Sequence, residues 1–168
     1  LHWWSQFTFN NALFVGYGTY KFGSVQTPAY QSAAELSNQF AFAKRYKKVM
    51  GSVLYSAKDL TENPVNILAA IKEAYKLPAV LPYLAKYTAT LPATPTNVRA
   101  NGKTLQWNGA EGAYYAVYRS NGVGKEAVTV AVTRQQEVAL ADAGTYFVTA
   151  VSKKDNAESE PSAMVEVR

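Results

Sequence analysis

Between residues 112 and 168 apolar and polar side chains alternate with a period of two, in four short runs separated by turn-forming residues. The runs cover residues 114–118, 127–132, 146–151 and 164–167. A chain written this way buries one face of each strand, and several such strands at close spacing predict a small β-sandwich. Upstream of a proline-bearing joint at residues 91–95 the pattern changes to short strand-like runs alternating with helical spacing. Two patterns in one chain predict two modules, residues 1–90 and 91–168. The expected fold class is a two-part α+β chain, with a partial parallel βαβα segment followed by an all-β sandwich.

A length of 168 residues suits one ordinary domain or two small ones. Apolar residues make up 48% of the chain and charged residues 17%, a globular balance. Twelve tyrosines and three tryptophans are many for this length, and core and strand packing is a commoner reason than a sugar-stacking surface. With no cysteine, disulfides, thiolate metal sites and cysteine nucleophiles are all excluded. The single histidine, His2, leaves no histidine-rich metal site, and no metal or cofactor is expected. The chain starts at Leu1 without an initiator methionine, which reads as a piece of something longer. No apolar stretch has the length of a membrane-spanning helix.

The net charge of +5 sits in the first module, where nine Lys/Arg face four Asp/Glu; the second holds eight of each. Its densest cluster, Lys44, Arg45, Lys47 and Lys48, falls in the expected last turns of a helix ending at Gly51. Cations there complement the negative end of the helix dipole, so no nucleic-acid partner is expected.

Residues 13–17 and 52–56 read as buried strands. Between them a helix is expected to start at Thr27-Pro28, or at Ser32 with Glu35 in capping-box spacing. Leu36, Phe40 and Ala43 form its apolar stripe, widened by Phe42, Tyr46 and Val49. Residues 57–62 read as a loop leading to Asn63-Pro64, the start of a helix with Ile67, Leu68, Ile71 and Tyr75 on its apolar face. Trp3 and Trp4 read as a short helical remnant. Strand, helix, strand, helix is the order of a parallel α/β sheet. Two parallel strands alone leave edges and a face uncovered.

The apolar strand at residues 13–17, the helix through Arg45, the Gly51-to-Asp59 stretch and Asn63-Pro64 with Leu77-Pro78-Ala79 together resemble the last two βα units of the glycosyl hydrolase-like family ten barrels. In that family a (β/α)₈ barrel is commonly followed by a fibronectin-like sandwich, the order expected here. The resemblance implies a glycan substrate, a polysaccharide or peptidoglycan glycan. It also implies a place in the bacterial envelope, periplasm or surface, or secretion. The first five or six βα units, which carry most of that family's active site, have no counterpart in this chain. Their absence implies a partner: the missing barrel half, or another copy of the chain.

Function in barrels gathers where strands end and βα loops begin. The candidate substrate-binding residues are therefore Tyr17, Tyr20 and Lys21 after the first strand, and Lys58 and Asp59 after the second. Tyrosine rings stack on pyranose faces, and lysine and aspartate hydrogen-bond sugar hydroxyls. The bland alternative for each is loop packing or a solvated turn. Glycoside hydrolysis ordinarily needs two carboxyl groups flanking the scissile bond. Of the four acids in residues 1–90, Asp59 alone falls at a strand end, so no catalytic pair is assigned and the chain itself is expected to be inactive. No phosphate loop or nucleophile elbow is present.

Residues 93–168 resemble a fibronectin type III module throughout. Strands are expected at residues 97–100, 103–107, 114–120, 126–132, 136–140, 146–151 and 164–167, with Trp107 in the core. Leu140-Ala141-Asp142-Ala143-Gly144-Thr145-Tyr146 has the spacing of a tyrosine corner. Tyr114 and Tyr118 share one strand face and Tyr115 takes the other. Such sandwiches serve as spacers, docking surfaces and binders alike. The readings are therefore the C-terminal part of a glycoside hydrolase-like protein, a non-catalytic carbohydrate- or protein-binding module, or a spacer.

Overall fold

A computed structural model describes residues 1–7, 12–83 and 90–168. The chain divides into two compact units, Leu1–Lys76 and Leu77–Arg168.

The first unit begins with the short helix α1 (His2–Ser5) and then runs β1 (Leu13–Gly18), α2 (Ala34–Ala43), β2 (Val49–Tyr55), α3 (Ala57–Glu62) and α4 (Ile67–Ala74). The strands pair in parallel, with Val15 opposite Ser52, Tyr17 opposite Leu54 and Gly18 opposite Tyr55. One sheet face carries Val15, Tyr17 and Leu54 and lies under the helices. Leu36, Phe40 and Ala43 of α2 and Ile67 and Ala70 of α4 close over it, with Tyr17 and Phe22, as one apolar cluster. Complete burial of a side chain such as Leu36 contributes about 1.5–3 kcal/mol.

Four local expectations for this unit change. The helix ends at Ala43 and Gly51 lies inside β2, so Lys44, Arg45, Lys47 and Lys48 occupy the turn after the helix, not its last turns. Gly51 is there for close approach: it pairs with Phe14, and a Cβ on it would run into the Phe14 ring. Thr27-Pro28 opens a single 3₁₀ turn (Pro28–Gln31), and α2 starts afterwards, with the Ala34 N–H donating to Ser32 Oγ at 3.2 Å. Residues 57–62 form a helix and not a loop, held by a capping box between Ser56 and Asp59. Asn63-Pro64 opens a 3₁₀ turn (Pro64–Asn66) and not α4, which starts at Ile67 after Asn66; Asn63 still reaches that helix, its Oδ1 accepting the Leu68 N–H at 2.9 Å.

The second unit is an antiparallel sandwich. A three-stranded sheet has the order β3 (Thr96–Asn101), β4 (Thr104–Asn108), β7 (Glu137–Ala139). A four-stranded sheet has the order β6 (Val128–Thr133), β5 (Ala113–Arg119), β8 (Gly144–Ser152), β9 (Val165–Val167). This is the fibronectin type III arrangement. Leu105 and Trp107 from one sheet meet Tyr115, Val117, Tyr146, Val148 and Ala150 from the other. Trp107 is 2% exposed and packs edge-on against Tyr115, with ring centroids 5.5 Å apart. The tyrosine corner forms: Tyr146 Oη donates to the Asp142 carbonyl at 2.8 Å.

Candidate functional site at the strand ends

Parallel register sets the character of the uncovered face of the first unit. Phe14 is opposite Gly51, Val53 opposite Gly16 and Tyr55 opposite Gly18, so each cross-strand pair joins a large side chain to a glycine. Phe14, Val53 and Tyr55 are 47%, 54% and 67% exposed. The Phe14 ring leans over Gly51, and the Tyr20 ring comes down beside Gly18, while the space above Gly16 stays open. Alternating bulk and bare backbone gives this face relief.

At the C-terminal ends of the strands, β1 passes into a 3₁₀ turn (Thr19–Lys21) and β2 passes through Ser56 into α3. The Tyr55–Ser56 peptide is cis. Tyr20 and Tyr55 meet edge to face with centroids 6.0 Å apart, and both remain accessible. Lys21 Nζ lies 5.9 Å from the Tyr20 ring centroid and 5.6 Å from that of Tyr30, within cation–π range. The result is an aromatic ledge with a cation at its side.

Beneath the ledge lies a buried polar knot. Asp59 Oδ2 accepts the Ser56 N–H at 2.7 Å, the Ser56 hydroxyl at 3.0 Å and the Thr19 hydroxyl at 3.3 Å. The Ser56 N–H is the main influence holding the Asp59 carboxyl below its usual value; burial works against it, and the two hydroxyls add to it. Because Thr19 follows β1 and Asp59 follows β2, this carboxylate ties the two strand ends together.

The five residues expected to bind substrate therefore part company. Tyr20 and Lys21 come together on the open ledge. Tyr17 faces the helices, 4% exposed, with its ring edge-on to Phe40 at 4.8 Å; its phenol is raised chiefly by burial. No face of Tyr17 is free for a sugar. Asp59 is committed to three donors of its own unit. Lys58 points outward and pairs with Glu62 at 3.4 Å. Tyr55, which no sequence signal singled out, supplies the larger exposed ring of the ledge. The carboxyl groups of this unit are all engaged locally: Glu35 accepts Gln39 Nε2 at 2.8 Å, Glu62 pairs with Lys58, and Glu73 pairs with Lys76 at 2.5 Å. Among the described residues no group of three His, Asp or Glu side chains is placed to hold a metal ion.

No family model matches the chain. It is 29% identical to the glycosyl hydrolase YngK of Bacillus subtilis over 95% of its own length, the relation of a distant homologue. The chain spans 36% of that relative's length. Among solved structures, a fibronectin type III-like protein from Clostridium thermocellum is 32% identical over 47% of this chain and 94% of its own, with a TM-score of 0.37. A β-1,2-glucanase from Parabacteroides distasonis is 27% identical over 54% of this chain and 14% of its own, with a TM-score of 0.35.

Proposed function

We propose that this chain is the C-terminal part of a glycoside hydrolase acting on a polysaccharide or peptidoglycan glycan, in which the first unit forms one wall of the cleft. The observation that carries this reading is the Tyr20–Tyr55 ledge with Lys21 beside it, at the C-terminal ends of two parallel strands. Aromatic rings take the apolar face of a pyranose, and function in barrel-type sheets collects at that end. The distant homology to a glycosyl hydrolase, running through both units, supports the same conclusion.

The wall binds and orients; it does not cleave. Each of its four carboxyl groups is spent on a helix cap, an ion pair or an amide, and glycoside cleavage needs two acids aimed at one bond. The acid pair is assigned to strands outside these residues, and the chain by itself is inactive. Its partner is the rest of the barrel, or a second copy where that is missing. A groove of about 590 Å³ between β1 and α2, lined by Val15, Gly16 and Phe42, suits such an added element. The protein works in the bacterial envelope or outside the cell, where such glycans are found.

In a longer protein that includes the upstream strands, Tyr55→Ala and Tyr20→Ala should each lower kcat/KM on its glycan by about tenfold or more, from lost stacking of about 1–1.5 kcal/mol or greater. The 168-residue chain should release no reducing sugar. Full activity in both variants, or hydrolysis by the chain alone, would overturn the reading.

A further inference from the structure

The second unit carries a groove that a sandwich does not need in order to fold. About 500 Å³ in volume, it opens between the outer face of the four-stranded sheet and the segment that precedes the sandwich, with Ala79 and Leu81 on one side. The segment is pinned in place. Asn156 Nδ2 donates to the Pro82 carbonyl at 3.3 Å, and Asn156 Oδ1 accepts the Tyr114 hydroxyl at 3.3 Å. Asn156 holds a left-handed backbone with φ of 60°, a conformation asparagine tolerates better than most residues. The groove is thus preformed.

Its floor is apolar, made by Tyr114, Leu81 and Val132, the last two 65% and 38% exposed. Its rim carries Arg134 and Lys153, and no Asp or Glu lines it. Among the described residues the ion pairs are those of Lys58, Lys76, Arg119 and Arg168; Arg134 and Lys153 take part in none. Thr133 Oγ1 accepts the Gln135 N–H at 3.0 Å, which leaves its own proton free to donate. Two cations without an ion pair, flanking an apolar floor, mark a place for an anion with an apolar face.

We propose that this groove binds a carboxylate-bearing sugar chain, an inference that rests on the glycan reading above. Sugar rings lie on Tyr114, Leu81 and Val132. Arg134 offers paired N–H groups to a ring carboxylate, Lys153 offers a point charge, and Thr133 donates to a hydroxyl. An acidic peptide suits the groove less well. Val132 and Thr133 lie on the edge strand β6, and an extended peptide would pair along its free side, whereas the groove floor runs inward from that edge onto Tyr114 of β5, paired with β6 on one side and β8 on the other.

The test is affinity electrophoresis and calorimetry of the full chain with polygalacturonate, dextran and polyglutamate. Polygalacturonate should bind, dextran should bind at least tenfold more weakly, and so should polyglutamate. Arg134→Ala with Lys153→Ala should weaken polygalacturonate binding at least tenfold without changing the melting temperature. Lys44→Ala with Lys47→Ala, which removes the same charge from the first unit, should leave binding unchanged. Absent binding, equal binding of dextran or polyglutamate, or an equal loss in the first-unit double variant would overturn the proposal. These readings come from the second unit, whereas the Tyr20 and Tyr55 variants report on the first, so either reading can fail while the other stands.

Discussion

The sandwich closes its core between two sheets, while the first unit covers only one face of its sheet. In the sandwich Leu105, Trp107, Tyr115 and Val117 are at most 2% exposed and are surrounded by side chains of both sheets. In the first unit the helix side has a buried centre, with Leu36 and Ile67 at 0% and Tyr17 at 4%, yet on the other face Phe14, Val53 and Tyr55 stand about half exposed or more. Both units thus obtain a packed core from similar residues, and they differ in what the second face of the sheet meets. Antiparallel sheets commonly leave one face to water and mark it with polar residues. The open face of the parallel pair is instead apolar and glycine-rich, the composition of a surface meant to be covered or to hold a ligand.

The largest effect that tests this contrast is expected at Trp107. Trp107→Ala removes the side chain on which the two sheets of the sandwich close, and should destabilise that unit by about 3–5 kcal/mol, read from its denaturant midpoint. Loss of less than about 1 kcal/mol would mean that the sandwich core tolerates a large void, and the contrast with the first unit would weaken.

A smaller effect is expected on the open face. Phe14→Ser with Val53→Ser should change the stability of the first unit by only about 0.5 kcal/mol per site, since neither side chain belongs to the buried cluster. The same pair should reduce concentration-dependent association in sedimentation experiments, because the apolar surface is what a partner would cover. A drop in stability as large as that from Trp107→Ala would show that the face is already supporting the fold.

The contrast also explains which parts of the structure were legible in the sequence. The sandwich was, nearly strand for strand, because period-two runs and the Asp142–Tyr146 corner are local signals. The first unit was legible in its order of elements but not in its details. Gly51 after an apolar helical stripe reads as a helix stop, and nothing local reveals that it makes room for a ring on a strand 37 positions away. Helix α3 spans 6 residues, too short for a period to show, although Ser56 and Asp59 hold the spacing of its capping box. Tyr17 was placed with Tyr20 at the strand end, whereas it lies inside β1, where strand parity sends it to the helices, and Tyr20 stands in the turn beyond. Tyr55 falls in residues 52–56, which read as a buried strand; its exposure depends on an uncovered face, which is a tertiary property. The groove beside Arg134 was invisible for the same reason, since its walls come from residues near 80, 114, 133 and 155.

The smallest expected effect concerns Asp59 and sharpens the comparison at the strand ends, where the first unit relies on one carboxylate and the sandwich on apolar closure. The folded-state value of this carboxyl lies below its ordinary one, first because of the Ser56 N–H. A group depressed on folding stabilises above its unfolded value, about 3.9 for Asp, and loses that stabilisation as pH falls through the folded value. The unfolding midpoint of the first unit should therefore decline as pH drops below about 4. Asp59→Asn keeps the shape and an accepting oxygen but removes the charge, so the variant should start less stable at neutral pH and lose less on acidification. The two curves should converge in acid, while the sandwich transition stays indifferent to the substitution. Parallel curves over the same window would show that Asp59 carries no titrating link between β1 and α3, and that its three donors place it without stabilising its charge.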